Sequence, residues 1–95
     1  PGVKNPSLIA AQAADNLLTI RGINASFVLA KVDNGVIISA RSLGSINVQL
    51  ILEKLGGGGH MTIAGAQLEN ISMEEAKERV IKAVEEYLSE EGESK

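Results

Sequence analysis

Cysteine is absent from the 95 residues. That excludes a disulfide framework and a thiolate metal site, and it fits an intracellular setting. Tryptophan is absent too, and Phe27 and Tyr87 are the only aromatic rings, so a nucleic-acid platform built from stacked aromatics is a poor reading. His60 is the only histidine, which leaves little from which to build a metal centre or a catalytic hydrogen-bonded set. No apolar run approaches the roughly 20 residues of a membrane span, and no signal peptide is visible. Positive charge is thin as well: nine bases face twelve acids, for a net charge of −3. The balance is uneven. Residues 69–95 carry nine acids and four bases, whereas residues 1–68 carry three acids and five bases. The body of the chain therefore tolerates an anion and the C-terminal segment is a solvated acidic surface, but a dense basic patch for duplex binding is missing.

The length is that of one domain, residues 1–95, with a hydrophobic fraction of 44% and a charged fraction of 22%, as in an ordinary globular protein. The first residue is Pro1 rather than Met, as in a fragment of a longer protein or a processed or tag-cleaved terminus.

Apolar spacing supplies the elements. Ile9, Ala13 and Leu17, with Ala10, Ala14 and Leu18, recur at helical intervals and predict a first helix, capped by Ser7 and stopped at Gly22. Residues 25–32 alternate as a strand, and Val36 to Arg41 return from the Asp33-Asn34-Gly35 turn. Asn-Gly there suggests a type I′ hairpin. On the returning strand Val36, Ile38 and Ala40 share one face, and Ile37, Ser39 and Arg41 the other. Ser45 is placed to cap a second helix whose stripe is Val48, Ile51, Leu52 and Leu55. Ala64 to Glu69 reads as a third strand. Ser72 and Glu75 form a capping box, with Ile71 and Ala76 as its hydrophobic staple, ahead of a last helix that frays after Leu88 into a disordered tail, residues 89–95. The resulting expectation is an α+β fold: a small mixed sheet containing a β-hairpin, helices packed against it, and the order α-β-β-α-β-α.

Gly56, Gly57, Gly58 and Gly59, followed by His60, stand out because a helix cap needs one glycine and each further glycine costs about 0.5–1 kcal/mol relative to alanine. Without Cβ atoms, successive N–H groups can turn inward as a nest for an oxyanion. The competing reading is a flexible connection. A P-loop is excluded, since no Gly-Lys-Ser/Thr follows and the run succeeds a helix rather than a strand. Arg41, the sole base between Lys31 and Lys54, suits bidentate phosphate recognition as well as it suits a solvated sheet edge. Asn47 reads equally as a contact to a base or sugar and as a solvated side chain. No paired carboxylates with supporting histidines, Ser/His/Asp set or ligand cluster is visible, so this chain carries no catalytic residue and no metal of its own.

Arg41-Ser42, Ile46-Asn47-Val48, Glu53-Lys54-Leu55-Gly56-Gly57-Gly58-Gly59-His60 and Ala64-Gly65 together resemble the DHH-associated domain of the DHH phosphoesterase superfamily, over about Val28 to Leu68. The stretch from Ile46 to Gln49, with Thr62, Gln67 and Leu68, is most similar to cyclic-di-AMP phosphodiesterases that carry PAS and degenerate GGDEF domains. The resemblance implies a preceding Asp-His-His domain of the same chain that binds two manganese ions, and a substrate-gripping role here. Arg41 and Ser42 would contact phosphate, Asn47 would help position the nucleotide, and Gly57, Gly58, Gly59 and His60 would cradle it. Family members often show Ala-Ala-Gly after the histidine, whereas this chain has Ile63 at the first of those positions. The implied parent hydrolyses cyclic di-AMP to pApA, is a membrane-anchored homodimer, and places this domain in the cytoplasm with no membrane contact of its own. Two alternatives remain. The same domain serves nanoRNA phosphodiesterases and 3′-phosphoadenosine phosphatases acting on short oligonucleotides, and a non-enzymatic dimerisation module would use the glycines only for packing.

Overall fold

The computed structural model describes residues 9–11, 17–20, 24–43 and 46–93. The elements are β1 (Ile9–Ala11), β2 (Leu17–Ile20), β3 (Ala25–Val32), β4 (Gly35–Ser42), α1 (Val48–Glu53), β5 (Gly58–Gly59), β6 (Ile63–Glu69) and α2 (Met73–Glu93). The strands form one six-stranded sheet in the order β1-β2-β3-β4-β6-β5. The α+β class and the central hairpin are as expected. Every strand pair is antiparallel, where a mixed sheet was the expectation.

The sheet sorts its residues by parity. Phe27, Leu29, Val36, Ile38, Ala64, Ala66 and Leu68 point to one face and are buried with Val48, Ile51 and Leu52 of α1 and Ala76, Val80, Val84 and Tyr87 of α2. Both helices thus cover the same face, and alternation sends Val28, Ile37, Ser39, Arg41, Ile63 and Gln67 to the other, where all are exposed. With both helices on one side, this is a two-layer fold whose other sheet face is open among the described residues.

The first helix is corrected. Ile9–Ala11 and Leu17–Ile20 are strands, paired as Ala11 with Leu18 and Leu18 with Phe27. Leu18 is buried beside fully buried Phe27; backbone pairing with β3 overrides a spacing of small and aliphatic residues that fits either period. Ala13 and Ala14 of that expected helix and its expected ends, Ser7 and Gly22, lie outside the described residues, as does the expected cap Ser45.

The hairpin turn is corrected too. Val32 pairs with Gly35, so the loop residues are Asp33 and Asn34. Positive φ among the described residues falls at Asn24, Gly56, Gly59 and Asn70 and not in this turn, which is therefore not type I′. Gly35 is required for a different reason: a Cβ there would come within 1.9 Å of the Leu68 carbonyl oxygen.

At the start of α2, Ser72 Oγ accepts the Glu75 amide at 3.1 Å, the N-cap half of the capping box, and Ile71 and Ala76 are buried. The helix then runs to Glu93, past Leu88, so residues 89–93 continue the helix rather than beginning a disordered tail.

Candidate nucleotide site

The glycine run resolves into four different jobs. Gly56 has φ +85°; its amide donates to Glu53 and that of Gly57 to Leu52, the paired bonds of a Schellman close to α1. A Cβ on Gly57 would sit 2.0 Å from the Gly65 carbonyl oxygen, so this residue permits close approach to β6. Gly59 combines φ +147° with a Cβ position 2.6 Å from Ala64 Cα. Gly58 alone has neither constraint, for its missing Cβ would meet nothing within 4 Å. Folding therefore accounts for three of the four glycines, and Gly58 is the one that opens backbone to whatever lies outside.

A concave nest of all the run's amides does not form, because those of Gly56 and Gly57 are spent on α1 and the His60 amide donates to Ile63 at 2.6 Å. Gly58 pairs with Gly65 and Gly59 with Ala64. Bonded and non-bonded pairs alternate along an antiparallel ladder. Since His60 and Ile63 are a bonded pair, the Gly59 amide faces the open outer edge of β5.

Arg41 joins this edge through the register. It is the partner of Ser26 on β3 and of Ile63 on β6, and Ile63 is bonded to His60. Ser26, Arg41, Ile63 and His60 thus form one row across the sheet on the exposed face. With strands ~4.8 Å apart, Arg41 and His60 stand about 10 Å apart with Ile63 between them. The other two bases of this region are engaged: Lys31 Nζ donates to the Ile71 carbonyl, and Lys54 Nζ bridges to Glu90 at 3.0 Å. Among the described residues nothing engages the Arg41 guanidinium.

Ser42 is not on that surface, and Asn47 stands at the start of α1. Neighbouring residues of a strand point to opposite faces, so the Ser42 side chain is buried on the helix side while Arg41 is exposed. Its amide donates to the Thr62 carbonyl at 2.9 Å. Asn47, not Ser45, is the described N-cap of α1, with Oδ1 accepting the Leu50 amide at 3.3 Å. Its own amide donates to the Tyr87 hydroxyl. The next amide, Val48, donates to the Met61 carbonyl at 2.9 Å. The turn that bears His60 is thus fastened from behind at Met61 and Thr62 by the two motif segments. Sequence reasoning assigned both residues to the ligand; the structure adds that their backbones hold the loop. It missed Ile63 as a surface residue of the row, although the parity of β6 was a usable signal. Nothing in the sequence marks the Met61 and Thr62 carbonyls.

Among the described residues no group of three or more His, Cys, Asp or Glu side chains comes together. No step through a metal is derived for this chain. No described helix is long and apolar enough to cross a membrane.

A sequence profile of the DHHA1 domain matches residues 4–90. The chain is 51% identical over 82 residues to the cyclic-di-AMP phosphodiesterase PdeA of Listeria monocytogenes, covering 85% of this chain and 12% of that protein. It is 52% identical over 81 residues to the cyclic-di-AMP phosphodiesterase GdpP of Bacillus subtilis, covering 84% of this chain and again 12% of the relative. The bifunctional oligoribonuclease and PAP phosphatase NrnA of Thermus thermophilus is 44% identical over 73 residues, 77% of this chain and 22% of that protein. The chain thus spans about an eighth of the phosphodiesterases it matches.

Proposed function

Since the chain belongs to the DHHA1 domain family, we propose that it is the nucleotide-gripping domain of a phosphodiesterase that hydrolyses cyclic di-AMP to pApA. The observation that carries this reading is the exposed row of Arg41, Ile63 and His60, flanked by the bare backbone of Gly58. It is supported by the identity to two cyclic-di-AMP phosphodiesterases.

The chemistry assigned to this chain is binding and orientation. The Arg41 fork offers parallel N–H donors to a phosphate. The His60 ring adds a hydrogen bond about 10 Å away, and Gly58 lets the ligand approach main chain. The Gly59 amide at the sheet edge is a further donor to an oxyanion. Ser42 and Asn47 act through the turn they anchor. In this reading a separate Asp-His-His domain would hold manganese, which would there supply an activated water and charge stabilisation. The parent is anchored to the membrane outside these residues, with this domain in the cytoplasm; fractionation of producing cells tests that part.

The decisive assay is hydrolysis by the intact protein. Cyclic di-AMP should be converted to pApA, and Arg41→Ala should raise KM by at least tenfold. Turnover of short oligoribonucleotides with no turnover of cyclic di-AMP would instead support the second reading, which the 44% identity to NrnA favours. Activity on neither substrate would defeat both.

A further inference from the structure

Ile63 is an apolar side chain in an unusual setting. It is 56% exposed, on the wet face, with Arg41 opposite it on β4 and His60 bonded to it on the other side. The core does not need it, because burial along β6 falls on Ala64, Ala66 and Leu68. Any ligand that touches Arg41 and His60 together must pass over Ile63, since the three occupy one cross-strand row. Along the next row, Ser39, Gly65 and Gly58 offer one short side chain and two glycines, so Ile63 rises above its neighbours on that side.

We infer that Ile63 is a specificity-determining residue, an apolar stop against which the ring of a bound nucleoside packs while its phosphate is held by Arg41. This rests on the proposed function and deepens it. The row presents a cation, an aliphatic surface and a hydrogen-bonding ring over about 10 Å, which matches a phosphate joined to a flat, partly apolar heterocycle and does not match a bare phosphate or sugar phosphate. Ile63 is β-branched and stiff at χ1, so it holds a fixed surface, and an alanine there would withdraw that surface without disturbing the core.

The test is a titration of this chain, followed by NMR, with adenosine 5′-monophosphate and with ribose 5-phosphate, which keeps the sugar and phosphate but lacks the ring. Both should perturb Arg41 and His60. Only the adenine nucleotide should move the Ile63 methyl signals upfield by ring current. Ile63→Ala should weaken the adenine nucleotide roughly threefold to tenfold and leave ribose 5-phosphate unchanged, with Ile63→Val falling between. An unchanged amide fingerprint shows that the variants are folded. If both ligands perturb Arg41 and His60 but Ile63→Ala binds the adenine nucleotide like the parent chain, the inference about Ile63 is overturned and the proposed function stands. If neither ligand perturbs the row at concentrations well above the expected millimolar Kd, the proposed function fails and takes this inference with it.

Discussion

Ser42 donates its amide hydrogen to the Thr62 carbonyl across 2.9 Å. The residue after Arg41 is thereby tied to the turn after His60. The two ligand-facing side chains of the proposed site sit on segments far apart in sequence yet held in one frame, with α1 completing it through Val48 and Met61. Such a frame keeps the loop's ordering cost out of the binding step.

Three of the four glycines should respond differently to alanine. Gly57→Ala forces a methyl into the β6 backbone and should cost about 1–3 kcal/mol. Gly56→Ala must adopt a left-handed conformation at about 1 kcal/mol. Gly58→Ala meets open space and should stay within about 0.5 kcal/mol of the parent chain, while its methyl obstructs the nucleotide. Thermal melts paired with nucleotide titration check the set; Gly58→Ala unfolding as readily as Gly57→Ala would contradict the assignment of jobs.

The anchoring of the loop predicts a second pair of effects. Asn47→Ala removes the α1 cap and should cost about 1 kcal/mol. Tyr87→Phe leaves the Asn47 amide without its acceptor, at about 1–3 kcal/mol. Urea denaturation measures both. Neither variant removes a proposed ligand contact, so saturating ligand should restore most of the lost affinity-competent state.

Face parity along β4 makes a sharper stability contrast. Ile38 is fully buried whereas Ile37 is exposed. Ile38→Ala should cost about 2–5 kcal/mol and Ile37→Ala less than about 1 kcal/mol. Equal losses in denaturant melts would mean that the outer face is covered by something else in solution.

The Lys54 bridge to Glu90 joins α1 to α2 at the surface. Lys54→Met should change stability by less than about 1 kcal/mol and leave nucleotide binding untouched, which makes it the matched control for Arg41. A binding loss on Lys54→Met, read in the same titration, would move the anion site to the helical side.

Much of this was legible in the sequence wherever a pattern had a single physical reading. The alternation around Asp33-Asn34-Gly35 gave the hairpin and its faces, and Ser72 with Glu75 gave the start of α2. Residues 9–11 and 17–18 misled because Ala and Leu at mixed spacing satisfy a helix until a partner strand is known, and those partners are fixed only by tertiary pairing. The glycine run was read as one functional unit, and the structural reason for Gly57 and Gly59, their approach to β6, depends on a register that no local rule supplies. Arg41 and Ser42 were grouped by adjacency in the motif, although strand parity already assigns neighbours to opposite faces. Asn47 was expected beside the ligand, and its role as the cap of α1 was not foreseen because Ser45 offered the same chemistry two residues earlier.

The central claim is that a nucleotide phosphate is held at Arg41 on the open face of the sheet. Titrating this chain with pApA while following backbone amides, for the parent sequence, Arg41→Ala and Lys54→Met, addresses it directly. The account predicts weak binding, with a Kd in the millimolar range and about −4 kcal/mol or less favourable. Shifts should centre on Arg41, Gly58, Gly59 and His60, vanish in Arg41→Ala and persist in Lys54→Met. Undiminished binding by Arg41→Ala, or shifts confined to the helical face, would contradict it.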